Sequence, residues 1–97
     1  MITSKQRAKL RALANSADTI LQIGKSGIGE TVTVQADDAL TARELMKGRV
    51  LETAPVSPRE AAAMLAEALS ADVVQVIGTR FVLYRKNEKE PKIILDD

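Results

Sequence analysis

The spacing of apolar positions predicts one helix at the beginning of the chain and another in its second half. Thr3 and Gln6 form a capping box that opens a helix over residues 4–15, with an apolar stripe at Leu10 and Leu13. The second helix begins after the N-cap Ser57. Its apolar residues recur at the spacing of one helix face, at positions 61, 64, 65, 68 and 69.

Four shorter segments are predicted to be strands, and in one of them Lys47 and Arg49 alternate with Met46, Gly48 and Val50. They cover Thr19–Ile23 and residues 45–51, 73–77 and 80–85. Gly78 and Thr79 separate the last two segments, which predicts a β-hairpin with a two-residue turn.

Residues 30–35 leave two interpretations open. Their alternating β-branched residues favour a strand, whereas the following residues 36–45 favour a helix. Periodicity alone does not decide between them.

The elements follow one another in the order α-β-α-β-α-β-β if residues 30–35 belong to a helix. This order predicts a single α/β domain over residues 1–97, a two-layer sandwich in which helices cover a four-stranded mixed sheet. Residues 86–97 are charged apart from the apolar positions 93–95, which could pack back on the domain. We therefore treat residues 87–97 as a candidate loose tail.

The amino-acid composition limits the reactions and ligands that this chain can support. The 97 residues contain neither cysteine nor histidine, so disulfides, thiolate nucleophiles and the commonest general base and metal ligand are absent. We expect no enzymatic activity, no metal, no cofactor and no small-molecule substrate. No apolar run approaches the about 18 residues of a membrane span, and the N-terminus lacks a secretory apolar stretch. A cytoplasmic monomer without membrane contact is the expectation.

Charge is distributed unevenly, although the net charge is only +1. Residues 1–29 carry +4, residues 30–72 carry −4 and residues 73–97 carry +1. This asymmetry permits a basic face opposite an acidic one, which would suit a polyanionic partner. Scattered solvated charges would give the same count.

The strongest functional candidate is the sequence Gly24-Lys25-Ser26-Gly27, which lies between a strand and the ambiguous segment. Glycines let the backbone approach a phosphate, the N–H groups of a following helix attract anions, and Lys25 adds a full charge. A Gly-x-x-Gly loop of this kind holds the RNA backbone in KH domains. Most such tetrapeptides are simply turns.

Known nucleotide-binding glycine motifs do not fit this loop. A Walker A motif would need a glycine at Thr19, and a dinucleotide fingerprint would need one at Val32. We therefore expect no nucleotide hydrolysis.

Further basic residues are candidates for contacts around the loop. Lys47 and Arg49 share one face of a predicted strand, where they could follow adjacent phosphates or protect an edge with charge. Arg80 and Arg85 have the same ambiguity. The first helix supplies Lys5, Arg7, Lys9 and Arg11.

Aromatic residues are scarce, since Phe81 and Tyr84 are the only two. Modules that stack bases on a sheet need more. Any nucleic acid would be held mainly by backbone and charge, with strong salt dependence and modest sequence specificity.

Several of these features together resemble the CRM domain (chloroplast RNA splicing and ribosome maturation), especially its bacterial stand-alone form, the YhbY family. The pieces occur in the same order across nearly the whole chain. They are KQR at residues 5–7, IGKSGI at 23–28, ELMK at 44–47 followed by Arg49, and VQVIG at 74–78 with VLYR at 82–85.

The resemblance implies the α-β-α-β-α-β-β fold of the C-terminal domain of translation initiation factor 3, with a KH-like loop and residues 30–35 in the second helix. It implies that Gly24, Lys25, Ser26 and Gly27 meet RNA. Gly48 stands where the family usually has a β-branched residue, so the second strand should be weakened.

For bacterial members the resemblance implies association with precursors of the large ribosomal subunit. We therefore expect an RNA-binding protein that contacts ribosomal RNA there and assists assembly. The alternative is a protein-interaction module whose acidic middle helices dock a basic ribosomal protein or assembly factor. The second alternative is a small enzyme acting on nucleic acid.

Overall fold

The computed structural model describes residues 2–95, which form three helices and four strands. Their bounds are α1 (Ser4–Ala14), β1 (Thr19–Ile23), α2 (Glu30–Arg43), β2 (Leu45–Val50), α3 (Pro58–Leu69), β3 (Asp72–Ile77) and β4 (Arg80–Tyr84). Capping boxes open α1 and α3 at Thr3 and Ser57, as predicted. The strands form one sheet in the order β1-β2-β4-β3, with β1 and β2 parallel and the other pairs antiparallel. The predicted mixed four-stranded sheet is confirmed.

The ambiguous residues 30–35 are helical, as the family resemblance implied. Val32, Ala36 and Leu40 are spaced four residues apart, and all three pack in the main core. In a helix this spacing places them on one face, where they bury together. Burial of this stripe outweighs the strand preference of the β-branched residues.

The number of layers differs from the predicted two. Helices α2 and α3 cover one face of the sheet, whereas α1 contacts β2, β3 and β4 on the other. Strand β4 is buried on both sides: Phe81 and Leu83 join the α2/α3 core, and Val82 and Tyr84 join a smaller cluster under α1. The sheet therefore lies between two helical layers.

Helix α1 buries a different stripe from the one predicted. Leu10 is fully buried, but its partner in the interface is Ala14, while Leu13 is 42% exposed. Residues 10 and 14 are one helical repeat apart and so face the sheet together. The small Ala14 lets the end of the helix lie close to the strands.

Gly48 has a packing role that was not expected from its difference from the β-branched residue usual in the family. It pairs with Phe81 across β2 and β4. A Cβ built on Gly48 would lie 2.5 Å from Phe81 Cζ, so the fully buried ring occupies the space that a side chain would need. An aromatic ring over a strand glycine compensates for the lost side-chain packing.

Gly48→Ala should therefore lower the free energy of unfolding by about 1–3 kcal/mol, because the buried ring must move. Gly24→Ala is the matched control, since its Cβ would meet only Leu51 Cδ1 at an ordinary 3.6 Å. Urea denaturation of the two variants and the parent measures the difference. Equal stability of all three would contradict the packing described.

A buried carboxylate fastens the C-terminal segment to the domain. Glu44 is fully buried just after α2, where its φ is +64°. Its carboxylate accepts hydrogen bonds of 2.6 Å from the backbone N–H groups of Asn87, Lys92 and Ile93. Ile93 and Leu95 pack against the cluster under α1. Residues 87–95 of the candidate tail thus have both polar and apolar contacts with the domain, and residues 96 and 97 lie outside the described part of the chain.

The environment of Glu44 favours its charged form. Burial alone would raise the pKa of this carboxyl group, but the three N–H donors and the nearby Lys86 outweigh it. They hold the pKa below its ordinary value of 4.5. Glu44 is therefore a buried anion whose hydrogen bonds connect the end of α2 to the C-terminal segment.

Candidate functional site

Residues 24–27 form a tight turn, called here the 24–27 turn. The N–H of Gly27 donates to the carbonyl of Gly24 at 2.9 Å, which closes the turn. Lys25 and Ser26 occupy its tip and are exposed, whereas Gly27 is buried. The turn directly follows β1 and so extends from one end of the sheet.

The fold requires glycine at one of the two glycine positions of the turn but not at the other. Gly27 has a φ of +69°, and a Cβ there would lie 2.9 Å from Pro55, so the fold itself requires glycine. Gly24 has room for a Cβ beside Leu51. The fold does not demand glycine at position 24. Without a side chain there, the backbone at position 24 can be approached closely from outside.

Helix α2 begins at Glu30, three residues after the last residue of the turn. Its N-cap Gly29 supplies no side-chain hydrogen bond. The first N–H groups of a helix have no intrahelical partner and carry partial positive charge, which attracts anions. Glu30 in the first turn of α2 reduces that attraction. Lys25 is therefore the principal positive charge at the tip.

Register brings two arginines together next to the turn. Arg49 near the end of β2 pairs with Arg80 at the start of β4, and on its other side with Gln22 of β1. All three residues are exposed. The sequence pattern indicates Arg49 as a binding candidate but leaves the role of Arg80 open. The two arginines are neighbours because β2 pairs with β4, and this pairing could not be derived from the sequence.

Three of the other predicted basic residues bind backbone carbonyls. Arg7 donates to the carbonyls of Val73 and Val74 at the start of β3. Lys9 donates to the carbonyl of Ile94. Lys47 donates at 3.2 Å to the carbonyl of Ala14 at the C-terminal end of α1, where a cation is favourable. These contacts fix α1, β3 and the C-terminal segment.

The remaining basic candidates lie elsewhere. Lys5 and Arg11 are exposed on α1. Arg85 forms a 2.7 Å ion pair with Asp37 and donates to the carbonyl of Leu69, so it connects α2, α3 and β4. The predicted cations are thus divided between the turn end of the sheet, α1 and internal contacts.

Two further findings concern the described part of the chain. Within residues 2–95, no three side chains of His, Cys, Asp or Glu are grouped so that they could hold a metal ion. No helix in the same range has the length and apolarity needed to span a bilayer.

Comparison with known proteins identifies relatives that are all named or described as RNA-binding proteins. A solution structure of SAV1595 from Staphylococcus aureus, described as a candidate RNA-binding protein, is 44% identical with a TM-score of 0.82; the match covers 99% of this chain and 100% of that one. "Probable RNA-binding protein YqeI" of Bacillus subtilis is 35% identical over 98% of this chain and 99% of its own length. A Haemophilus influenzae "RNA-binding protein" is 33% identical over 97% and 94%.

The sequence model of the CRS1 / YhbY (CRM) domain matches residues 2–85. This range includes all seven helices and strands and the 24–27 turn. Together with relatives that align over nearly their full lengths, the match shows that the chain belongs to the CRS1 / YhbY (CRM) domain family.

Proposed function

We propose that this protein binds RNA, and that the 24–27 turn is the centre of the binding surface. Three relatives that span the chain are named or described as RNA-binding. The supporting observation is the exposed Lys25-Ser26 tip on a turn whose Gly24 is not required by the fold.

The contact would be with phosphate rather than with bases. Phe81 and Tyr84 are buried at 0% and 5% exposure, so neither is available for stacking. Lys25, Arg49 and Arg80 are exposed cations on the turn and the adjoining strands. Such contacts neutralise backbone charge and carry little sequence information.

The finer part of the proposal is that the RNA is ribosomal RNA of large-subunit precursors and that binding assists their assembly without catalytic turnover. Its support is the resemblance to bacterial YhbY proteins. We further propose a cytoplasmic monomer. Lys5 and Arg11 would widen the contact, whereas Arg7, Lys9 and Lys47 act mainly through the carbonyls that they already bind.

Titration with fragments of large-subunit ribosomal RNA tests the proposal. Three phosphate contacts give a slope of log affinity against log salt of about −2, or roughly a 20-fold loss between about 50 and 200 mM salt. Fluorescence anisotropy at several salt concentrations measures this slope. Failure to bind at low salt would reject RNA binding and favour the protein-interaction alternative.

Sedimentation of a cell extract through a sucrose gradient tests the ribosomal part separately. The protein should migrate with large-subunit precursors and return to the top of the gradient in high salt. Migration with mature small subunits, or at the top of the gradient in low salt, would contradict the proposed target.

A further inference from the structure

One row of side chains crosses all four strands at the turn end of the sheet. Gln22 pairs with Arg49, Arg49 with Arg80, and Arg80 with Ile77. We call these four residues the end row. Residues paired in this way project from the same face of a sheet. Arg49 alternates with the buried Met46, Gly48 and Val50, so this face is the one that carries α1.

Helix α1 does not reach the end row. Its last residue, Ala14, accepts a hydrogen bond from Lys47, two positions before Arg49 on the same face of β2. All four residues of the end row are exposed, and Ile77 is 62% exposed. The part of the sheet beyond the end of α1 is therefore open.

The two arginines at the middle of this row are directly opposed. The ion pairs found within residues 2–95 are Arg85 with Asp37 and Lys92 with Glu90, so neither arginine has an acidic partner there. Like charges facing each other across two strands destabilise a sheet. A bound anion would convert this repulsion into attraction.

We infer that the end row binds a backbone phosphate of the same RNA strand that contacts the 24–27 turn, with the phosphate held between Arg49 and Arg80. Neighbouring strands lie about 4.8 Å apart, so both guanidinium groups can reach one phosphate. Gln22 is two residues before Gly24, which makes the row continuous with the turn. This inference rests on the proposed function and extends it to a second contact on the sheet.

The test compares Arg49→Gln/Arg80→Gln with a control that removes the same charge elsewhere. Arg43→Gln/Lys89→Gln is suitable because both residues are exposed and lie on the last turn of α2 and the C-terminal segment. With single-stranded ribosomal RNA fragments, the arginine variant should bind about tenfold or more weakly. Its salt slope should be shallower by about 0.7, because the two arginines hold one phosphate between them. The control should stay within about twofold of the parent at moderate salt.

Thermal unfolding without RNA gives an independent readout. Removing one of two opposed charges should leave the melting temperature of Arg80→Gln equal to or above that of the parent. Arg49→Lys/Arg80→Lys should keep most of the salt slope, because both charges remain, but bind more weakly because lysine cannot hold phosphate through two N–H groups. Weaker binding by a fully folded variant supports a ligand contact.

The outcomes separate this inference from the proposed function. If Lys25→Gln weakens binding but Arg49→Gln/Arg80→Gln matches the control in affinity and slope, the end row is not a phosphate site and the proposed function stands. If the parent binds no RNA at low salt, both fail. If affinity falls only together with a large fall in melting temperature, the arginines act through the fold, and the inference is rejected.

Discussion

Replacing Lys25 and Ser26 together by aspartate should lower RNA affinity by about 100-fold while the domain stays folded. Both side chains are exposed at the tip of the 24–27 turn, so the new carboxylates face solvent. They would remove the principal cation of the tip and place two anions where phosphate is expected. Losing one charge contact and adding repulsion together cost about 2–3 kcal/mol of binding free energy, which corresponds to this factor.

Lys25→Asp and Lys89→Asp form a matched pair for this experiment, because each exchanges one exposed lysine for aspartate. Lys89 lies on the C-terminal segment. The Lys89 variant should bind nearly as well as the parent. Circular dichroism and thermal unfolding establish that each variant is folded. A folded double variant that binds as tightly as the parent would exclude the turn as the site.

Glu44→Gln should lower the free energy of unfolding by about 2 kcal/mol, and Glu44→Ala by about 4 kcal/mol. Glutamine keeps the size of the side chain but turns an N–H donor group towards one of the three backbone donors. Alanine leaves the N–H groups of Asn87, Lys92 and Ile93 without their acceptor. Each such orphaned donor costs about 1–3 kcal/mol when buried.

The pH dependence gives a further check on Glu44. Its folded pKa is lowered below 4.5, so its contribution is fully present above the unfolded value and is lost as pH falls through the folded value. The stability gap between the parent and Glu44→Gln should therefore narrow below about pH 4.5. Glu67→Gln, an exposed position on α3, is the control in urea denaturation. Equal stability of the parent and Glu44→Gln at pH 7 would show that the carboxylate does not hold the C-terminal segment.

Local sequence signals determined most of the secondary structure. Capping boxes at Thr3 and Ser57 satisfy N–H groups within a few residues, so they act in any tertiary context. The hairpin turn at Gly78, whose φ is +58°, is likewise a local preference. The order of the sequence motifs was sufficient to identify the family. The absence of cysteine and histidine restricted the chemistry that the side chains can perform.

Tertiary structure decided which side chains meet. The third layer, the pairing of Gly48 with Phe81 and the burial of Glu44 by residues more than forty positions later all depend on long-range packing. The same holds for the basic residues: sequence could list Arg7, Lys47, Arg49 and Arg80, but charge alone does not show which one binds a carbonyl and which one faces solvent. Strand register and the point where α1 ends made that distinction, because a side chain's partners are set by the elements that pack beside it.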